Sequence, residues 1–368
     1  MALFMVKTWM GNKATPIYGA EWAGGSDPSW SRTDDAVGFS APNPYYSGMS
    51  TTPSSPFDNI MPWSGMRRVT DASAGELVEI PKFYYKWTRD GVKMKLQISM
   101  EKFDGFLTSP AHADRGDNVG ERDSVYVGRY HCASDYKSKT GVTPKASATR
   151  ATFRNGIHNL GNNIWQYDLA MRWTIGMLYL VEYANWDSQG KIGFGGSDNG
   201  SSAVAMGSSD SMPYHTGTMK SSRNTYGVGV QYRYIEGLWE NVLDWTDGIY
   251  FNGTSTYCIK NPANFSDSTG GTLVGTRSNT SSNYIASFTN PTASGFEYAL
   301  VPATITYNDD TYVTDSNFGG GTVLKMGLYW MTSKQGGMFS YFGDSSASET
   351  HPAIGSRLMV LPPSRLSA

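Results

Sequence analysis

The sequence predicts an α+β fold with short β-strands, one long buried helix and long loop insertions. The strands are indicated by residues 92–99, where apolar and polar side chains alternate after the turn signal Asp90-Gly91. The helix is indicated by residues 163–186, where an apolar residue recurs at every fourth position. This apolar stripe consists of Trp165, Leu169, Trp173, Met177 and Val181.

The chain is expected to begin with an irregular N-terminal arm at residues 1–65, which are rich in Pro, Gly, Ser and Trp. The remaining residues, 66–368, then form the main domain. Within it, residues 76–87 predict a strand that leads into the hairpin, and residues 125–130 predict another strand.

Two long insertions are predicted in this domain, near residues 193–229 and 252–295. The first is dominated by Gly, Ser and Met, and the second by Thr, Ser, Asn and Gly. Segments of this composition run over the surface and often carry function, with partial disorder as the alternative. The C-terminal third adds predicted strands near residues 298–307, 322–331 and 357–361.

The predicted domain is organised around residues 232–251, which place aromatic and aliphatic side chains among acids and amides. Alternation through residues 241–246 predicts a short strand, and Asp247-Gly248 predicts a turn into a second strand. The polar members are Glu236, Glu240, Asn241, Asp244 and Asp247.

These polar side chains have two interpretations. Their oxygens could ligate calcium, which takes roughly six to eight oxygen ligands, or they could satisfy loop backbone groups or lie at the surface. Their spacing matches no defined calcium loop, so no cofactor is predicted and calcium stays an open alternative.

The charge and cysteine content limit the partners and the compartment. A formal net charge of −2 gives no basic field that would attract nucleic acid or an anionic membrane. No membrane insertion is predicted, because Asp168, Arg172 and Glu182 interrupt the one long helix, and a span needs ~20 apolar residues. Cys132 and Cys258 predict free thiols, with a single bridge as the alternative. The N-terminus lacks a signal-peptide core, so we expect cytoplasmic synthesis without export.

Catalytic motifs are not apparent in the sequence. It contains no phosphate loop, dinucleotide fingerprint, zinc-ligand pair or nucleophile elbow. The neighbours His131 and Cys132 would point to opposite sides of a strand. Acids close together in the sequence do not fix the carboxyl separation that glycoside hydrolysis requires. Aromatic residues, at 13%, suit a loop-rich binding surface as well as an ordinary β-rich fold.

Several stretches resemble one group of proteins. Residues 232–248, YRYIEGLWENVLDWTDG, resemble the "YRGIEN…GN-W-W-DG" element of phage tail proteins that share the C-type-lectin-like fold with formylglycine-generating enzymes. Further matches follow the same order, namely FDNIMPW at 57–63 with IPKFY at 80–84, LYLVEY at 178–183 with SQ and KIG at 188–193, and GSRL at 355–358.

The resemblance implies a C-type-lectin-like fold in which N- and C-terminal strands pair beside a helix and a loop-rich face binds a ligand. It also implies a receptor-binding tail-tip protein of a phage or prophage, similar to the variable proteins of diversity-generating retroelements. The implied partners are a host cell-surface protein or glycan and other phage tail proteins, and the implied location is the virion tail. A homo-oligomer, preferably a trimer, is an open alternative.

By analogy with these variable proteins, the receptor-facing residues would lie between Tyr329 and His351. The candidate ligand-binding residues are Tyr329, Trp330, Ser333, Lys334, Tyr341, Phe342, Asp344 and Ser346. Sequence alone does not sort the four aromatic members into exposed and buried ones. The structural scaffold would comprise Trp239, Asn241, Trp245, Asp247, Gly248, Gly355 and Arg357.

Two positions depart from the family element, because Glu240 replaces a Gly and Leu243 replaces the first Trp. Enzymes of this fold use a Cys pair near the C-terminus or a His-rich iron site, and neither pattern occurs here. The sequence therefore predicts a protein without enzymatic activity. The alternatives are a structural tail or baseplate component and a formylglycine-type or glycosidic enzyme.

Overall fold

The structure is a computed structural model that describes residues 14–45, 52–198, 202–214, 229–280, 283–306, 317–318, 320–331 and 336–366. In chain order its first strands are β1 (Ile17–Trp22), β2 (Ser31–Asp34), β3 (Arg67–Asp71), β4 (Gly75–Pro81), β5 (Tyr84–Asp90), β6 (Lys93–Ser99), β7 (Leu107–Thr108) and β8 (Ser124–Gly128). The next are β9 (Ile164–Gln166), β10 (Gln231–Tyr232), β11 (Ile235–Glu236), β12 (Leu243–Asn252), β13 (Ser255–Cys258), β14 (Thr272–Thr276) and β15 (Asn283–Thr289). The last are β16 (Val301–Thr306), β17 (Asn317–Phe318), β18 (Val323–Met326), β19 (Tyr341–Ser345), β20 (Ile354–Gly355) and β21 (Leu358–Val360). The α-helices are α1 (Arg150–His158), α2 (Leu169–Tyr183) and α3 (Ser188–Lys191), and short 3-10 turns occur at Trp63–Gly65, Gly195–Asp198 and Pro262–Asn264.

Three sheets form the framework of the described chain. One has the order β2-β1-β6-β5-β7, and a second has the order β3-β4-β8-β21-β9. The third has the order β14-β13-β12-β18-β19, with β20 added in parallel to β12. The strand from the C-terminal end, β21, thus lies between β8 and β9 and joins distant parts of the chain.

The predicted α+β class is confirmed, with strand at 33% and helix at 12%. Every residue of α2 is buried, because this helix packs against β1, β6 and β12 rather than lying at the surface. A helix that is apolar on all sides is typical of a protein core. The larger hydrophobic cluster includes α2, and a smaller one surrounds Trp245, Phe153 and Leu358.

The predicted long helix begins later than its periodicity indicates. Asp168 caps α2, accepting a hydrogen bond from the Met171 N–H at 2.8 Å. The preceding residues 164–166 form β9 instead, because they pair with β21. The inclusion of Trp165 in the helix was therefore wrong, and its indole stacks on His158 with ring centroids 4.0 Å apart.

The predicted hairpin is confirmed by the antiparallel pair β5 and β6, with Asp90 opposite Lys93 and Gly91 at φ 60°. The single strand predicted for residues 76–87 is in fact two strands. It is interrupted after Pro81, where the chain leaves the sheet of β4 and enters the sheet of β5. No sign of this change of sheet is visible in the sequence, because apolar and aromatic residues continue through both strands.

The N-terminal segment is more regular than its composition predicts. In its described part, β1 pairs with both β2 and β6, so this segment extends a sheet instead of forming an irregular arm. Arg32 also donates hydrogen bonds to the carbonyl oxygens of Val181 at 2.7 Å and Glu182 at 2.6 Å, near the end of α2. Strand pairing here overrides the turn-forming composition.

The second predicted insertion also contributes to the framework. Within residues 252–295, β13 and β14 extend the sheet of β12, and β15 pairs with β16 and β17. The described part of the first predicted insertion, residues 193–229, contains no α-helix and no strand. It has a 3-10 turn at Gly195–Asp198. Residues 215–228 of that insertion lie outside the described part of the chain.

Candidate ligand-binding face

Strand β12 runs without a break through Asp247 and Gly248, which were predicted to form a hairpin turn. That prediction was wrong, because the two residues form a bulge at which the pairing register with β18 shifts, and Gly248 has φ 74°. Arg150 of α1 stabilises the bulge, donating from Nη1 to the carbonyl oxygens of Thr246 at 3.0 Å and Ile249 at 2.7 Å. The bulge is thus buried and fixed to α1, and the scaffold role of Asp247 and Gly248 stays a prediction.

Glu236 binds the backbone of a neighbouring loop. Its carboxylate accepts hydrogen bonds from the N–H groups of Gly207 at 2.7 Å and Ser209 at 3.0 Å, and from the Ser209 hydroxyl. The side chain is 1% exposed. With these donors already bound, Glu236 holds the loop at residues 202–214 in place and has little capacity left for a metal or ligand.

Glu240 has the same kind of role toward a different loop. Its carboxylate accepts a hydrogen bond from the N–H of Gly196. Burial raises the pKa of Glu240 to about 8, the Gly196 bond opposes this rise, and the nearby charge of Glu236 adds to it. A substantial fraction of Glu240 is therefore protonated at neutral pH.

Asn241 connects two loops. Its side chain accepts a hydrogen bond from the Val204 N–H and donates one to the Val204 carbonyl oxygen, both at 2.9 Å. The backbone carbonyl oxygen of Asn241 accepts a hydrogen bond from the backbone N–H of Trp330 at 3.3 Å. Asn241 lies at φ 68°, a left-handed conformation that Asn tolerates better than most residues. The loops around Val204 and Trp330 therefore share one support.

Asp244 belongs to a buried charged cluster. Its Oδ1 lies 3.4 Å from Nε2 of His131, and its Oδ2 lies 3.8 Å from Nε of Arg357. Burial disfavours its charge, but His131 and Arg357 hold the pKa of Asp244 below its ordinary value. Burial lowers the pKa of His131, and Asp244 only partly opposes this. The cluster thus places an acid whose ionised form its neighbours favour beside an imidazole whose charged form burial disfavours.

The predicted scaffold residues lie in the interior. Arg357 donates hydrogen bonds to the carbonyl oxygens of Gly128 and Glu236, both at 2.7 Å, and so links β8 to β11. Trp239 and Trp245 are buried, and Gly355 pairs with Asp244 across β20 and β12. Position 355 is close to Val242, where an added Cβ would lie 2.8 Å from a methyl group, so a larger residue would not fit without a shift.

The metal hypothesis receives no support from the described side chains. Among them, no three His, Cys, Asp or Glu residues come close enough to hold an ion together. The acids of residues 236–247 instead bind backbone N–H groups or basic side chains. Glu236 and Glu240 therefore accept hydrogen bonds from loop backbone groups, which was the alternative to calcium binding.

Alternation along β19 separates two of the candidate ligand-binding residues. Tyr341 points into the core, is 1% exposed and lies near Phe288 with ring centroids 6.5 Å apart. Phe342 points to the opposite side and is half-buried. Because successive side chains of a strand face opposite ways, the two cannot serve one surface together. Of this pair, only Phe342 is placed where a ligand could contact it.

The other aromatic candidates are adjacent to each other. The rings of Tyr329 and Trp330 meet edge to face, with centroids 5.6 Å apart, and both residues are half-buried. The candidates Ser333 and Lys334 lie outside the described residues. An aromatic pair of this kind offers apolar area together with a hydroxyl and an indole N–H, a combination common in binding sites.

The polar candidates Asp344 and Ser346 are exposed. Asp344 forms an ion pair with Lys325, with Oδ1 and Nζ 3.2 Å apart, and Glu349 lies 3.9 Å from the same ammonium group. Lys325 is only 8% exposed and lies opposite Phe342 in the strand register. Among the candidates that the structure describes, those that remain accessible are Tyr329, Trp330, Phe342, Asp344 and Ser346, and we call these five the candidate face.

A cavity of about 360 Å³ lies beside Asn241 and therefore close to Trp330. Its wall includes Val204 and Met206 together with Glu240. A cavity of this size is within the range of small-ligand sites, at roughly 300–1,000 Å³. The described residues that line this cavity do not include the five of the candidate face, so it is a separate feature beside the loop at Val204.

Sequence analysis missed the residues that stabilise this region from other elements. Arg150 and Arg154 are four positions apart, so both lie on one side of α1, and a pair of arginines at this spacing was the only available signal. The sequence did not indicate that Lys325 pairs with Asp344, because alternation within a short strand does not show which acid a lysine will contact. Both cysteines are free and buried, and burial raises the pKa of each thiol, as expected for inert side chains.

Comparison with known proteins adds no assignment. The chain matches no protein-family model and no curated protein sequence. Within the described part of the chain, no helix has the length and apolar character required to cross a membrane.

Proposed function

We propose that this chain is a non-enzymatic receptor-binding protein of a phage or prophage tail, with a C-type-lectin-like domain that binds a host-surface protein or glycan. The observation that carries the proposal is the double role of Asn241, which supports the loops at Val204 and Trp330 side by side. Variable loops displayed on a rigid scaffold are the usual design of a recognition surface.

The sheet topology supports the lectin-like part of this proposal. The sequence resemblance implies that N- and C-terminal strands pair beside a helix. In the described chain, β21 pairs with β8 and so joins the sheet that contains β3 and β4, the first strands after residue 65, and the buried helix α2 packs against β1, β6 and β12. The motif of residues 232–248 lies in the interior, with Trp239 and Trp245 buried, as a scaffold element would.

The central test is attachment to cells. The purified, fluorescently labelled chain would be incubated with bacteria that the parent phage infects, as wild type and as Trp330→Ala. The matched control is Trp165→Ala, because Trp165 is also half-buried but lies in β9. We expect Trp330→Ala to reduce attachment about tenfold or more, which is the scale of an aromatic hot spot, and Trp165→Ala to leave it unchanged. Equal attachment by both variants, each shown to be folded by circular dichroism, would contradict the placement of the face.

A structural tail or baseplate component is the second candidate function. It is favoured by a groove of about 600 Å³ lined by Met61 and Met100, which are 42% and 36% exposed. Exposed apolar side chains that line one groove suit contact with another subunit. This function predicts a permanent oligomer, whereas a monomer measured by light scattering would count against it.

The buried thiols support the non-enzymatic part of the proposal. A catalytic cysteine needs a lowered pKa and access to substrate, whereas burial raises the pKa of both Cys132 and Cys258. An enzyme would be indicated by turnover that disappears on changing Cys258 or Asp244. Diversification by a retroelement has its own test, since the neighbouring DNA would encode a reverse transcriptase and a near-copy of the last coding segment that differs at adenines.

A further inference from the structure

A second cavity, of about 170 Å³, lies where the start of α2 meets strands β5 and β7 of one sheet. Its wall includes Tyr85 of β5, Ala170 of α2 and Tyr298 before β16. Three cationic side chains also line it, namely Lys102, Arg115 and Lys260. The volume is smaller than the roughly 300 Å³ at which drug-sized sites begin, so it suits a small ion or a single sugar-sized group.

Arg115 is the buried cation of this cavity. It is 2% exposed and donates from Nε to the Lys260 carbonyl oxygen at 2.7 Å, while Nη2 pairs with the carboxylate of Asp168. The remaining group, Nη1, is buried and has no hydrogen-bond acceptor among the described residues. Buried guanidinium groups are normally fully hydrogen-bonded, so this unmatched donor indicates a place for an acceptor.

The other charged side chains of the cavity differ in whether an acid already lies beside them. Lys260 is exposed and has no acid within ion-pair distance in the described chain, whereas Lys102 lies 3.5 Å from Glu121. Among the described residues, the carboxylate that lines the cavity is that of Glu297, which accepts hydrogen bonds from the Gly295 N–H at 2.9 Å. Glu297 would repel a dianion but could accept hydrogen bonds from hydroxyl groups. Apolar wall residues such as Pro110 suit the carbon skeleton of an organic ligand.

We infer that this cavity binds a small organic carboxylate that carries hydroxyl groups, such as a sugar acid. The carboxylate would lie between Arg115 and the ammonium group of Lys260, and its hydroxyl groups would face Glu297. This site is separate from the candidate face and does not depend on the proposed function.

The test is a calorimetric titration of the folded chain with D-glucuronate, at low salt because exposed charges are screened by salt. D-glucose serves as the neutral match and inorganic phosphate as the alternative anion. The variant is Lys260→Met, which keeps the backbone carbonyl that Arg115 binds. The control is Lys93→Met, the same change at an exposed position in the β5–β6 hairpin. Arg115 itself is a poor choice, because its loss would leave Asp168 buried without its partner.

We expect saturable binding of glucuronate, no binding of glucose, and an affinity about fivefold weaker in Lys260→Met than in Lys93→Met. Absence of glucuronate binding, or equal affinities of the two variants, would overturn the inference. Tighter binding of phosphate than of glucuronate would also overturn it, in favour of a phosphate site. Cell attachment is measured separately with Trp330→Ala, so failure here and failure of the proposed function are distinguishable.

Discussion

Arg154 of α1 and Asp247 of β12 form a two-bond ion pair, with Nε–Oδ2 at 2.6 Å and Nη2–Oδ1 at 3.0 Å. Asp247 is fully buried, while the Arg154 side chain is 16% exposed. A second acid, Asp267, lies 2.6 Å from the same guanidinium, and Arg150 contacts it as well. The pair therefore fixes the bulge of the central strand to the helix beside it.

Replacing Arg154 by Met should lower the free energy of unfolding by up to about 3 kcal/mol, because the buried Asp247 then depends on Arg150, whose Nε is 3.9 Å from Oδ1, and on the Gly248 N–H. Urea denaturation would measure the change. The matched control is Lys139→Met, which removes an ion pair with Asp135 in which both side chains are nearly half exposed. That change should cost less than about 1 kcal/mol. Similar losses in the two variants would show that the Arg154 pair does not stabilise the bulge.

Glu240 predicts a loss of stability toward alkaline pH. Its folded-state pKa of about 8 lies above the ordinary value of 4.5, so the folded protein binds the proton more tightly than the unfolded chain. This contribution is complete below pH 4.5 and disappears as pH rises through about 8, with an upper bound of about 5 kcal/mol. Melting temperatures at several pH values would show a flatter profile for Glu240→Gln. Exposed Glu101→Gln serves as the control, and parallel profiles of wild type and Glu240→Gln would contradict the prediction.

His112 predicts a loss of stability toward acid pH. Burial lowers its pKa to about 4, although its ring bonds to the Ile80 carbonyl. The unfolded chain therefore gains a proton first, and stability is lost as pH falls from 6.5 to about 4, by up to about 3 kcal/mol. The variant His112→Gln should lose less stability over this range than wild type, and exposed His351→Gln should behave like wild type. Because burial also lowers the pKa of His131, the acid dependence should be reduced rather than abolished.

Asn241 allows a test that separates its hydrogen bonds from its backbone conformation. Asn241→Gly keeps the left-handed conformation but removes the side-chain bonds to Val204, and should cost about 1–3 kcal/mol. Asn241→Ala removes the same bonds and adds the strain of φ 68°, roughly 1–2 kcal/mol more. Denaturation of both variants under one condition gives the difference. An alanine variant as stable as the glycine variant would show that the backbone is free to relax.

Local patterns in the sequence predicted the elements whose causes are themselves local. Alternation and a Gly in the left-handed region predict the β5–β6 hairpin, and periodicity predicts most of α2. The start of α2 at Leu169 was not predictable, because it depends on residues 164–166 pairing with β21, far away in the sequence. The Asp247-Gly248 signal was misread for a similar reason, since a bulge and a hairpin turn share residue preferences and differ only in the strands around them.

For the candidate face, the sequence placed the residues in one region but could not orient them. Tyr341 and Phe342 are both aromatic, and only the register of β19 against β18 determines which of them is buried. For the acids of residues 236–247 the sequence left calcium ligation, bonds to loop backbone groups and a surface position open. Their actual partners, such as the N–H groups of Gly207 and Gly196, come from loops whose positions no local pattern encodes.

The place of β21 between β8 and β9 also has a consequence for biosynthesis. A nascent chain that has not yet reached Leu358 cannot fill this position, so the sheet stays open during most of translation. A frameshift or premature stop in the preceding segment would leave two strands with unpaired edges, which promote aggregation. A sequence change ahead of Gly355 that shifts the reading frame would therefore prevent this sheet from closing, because only chains that continue in frame through Leu358 contain β21.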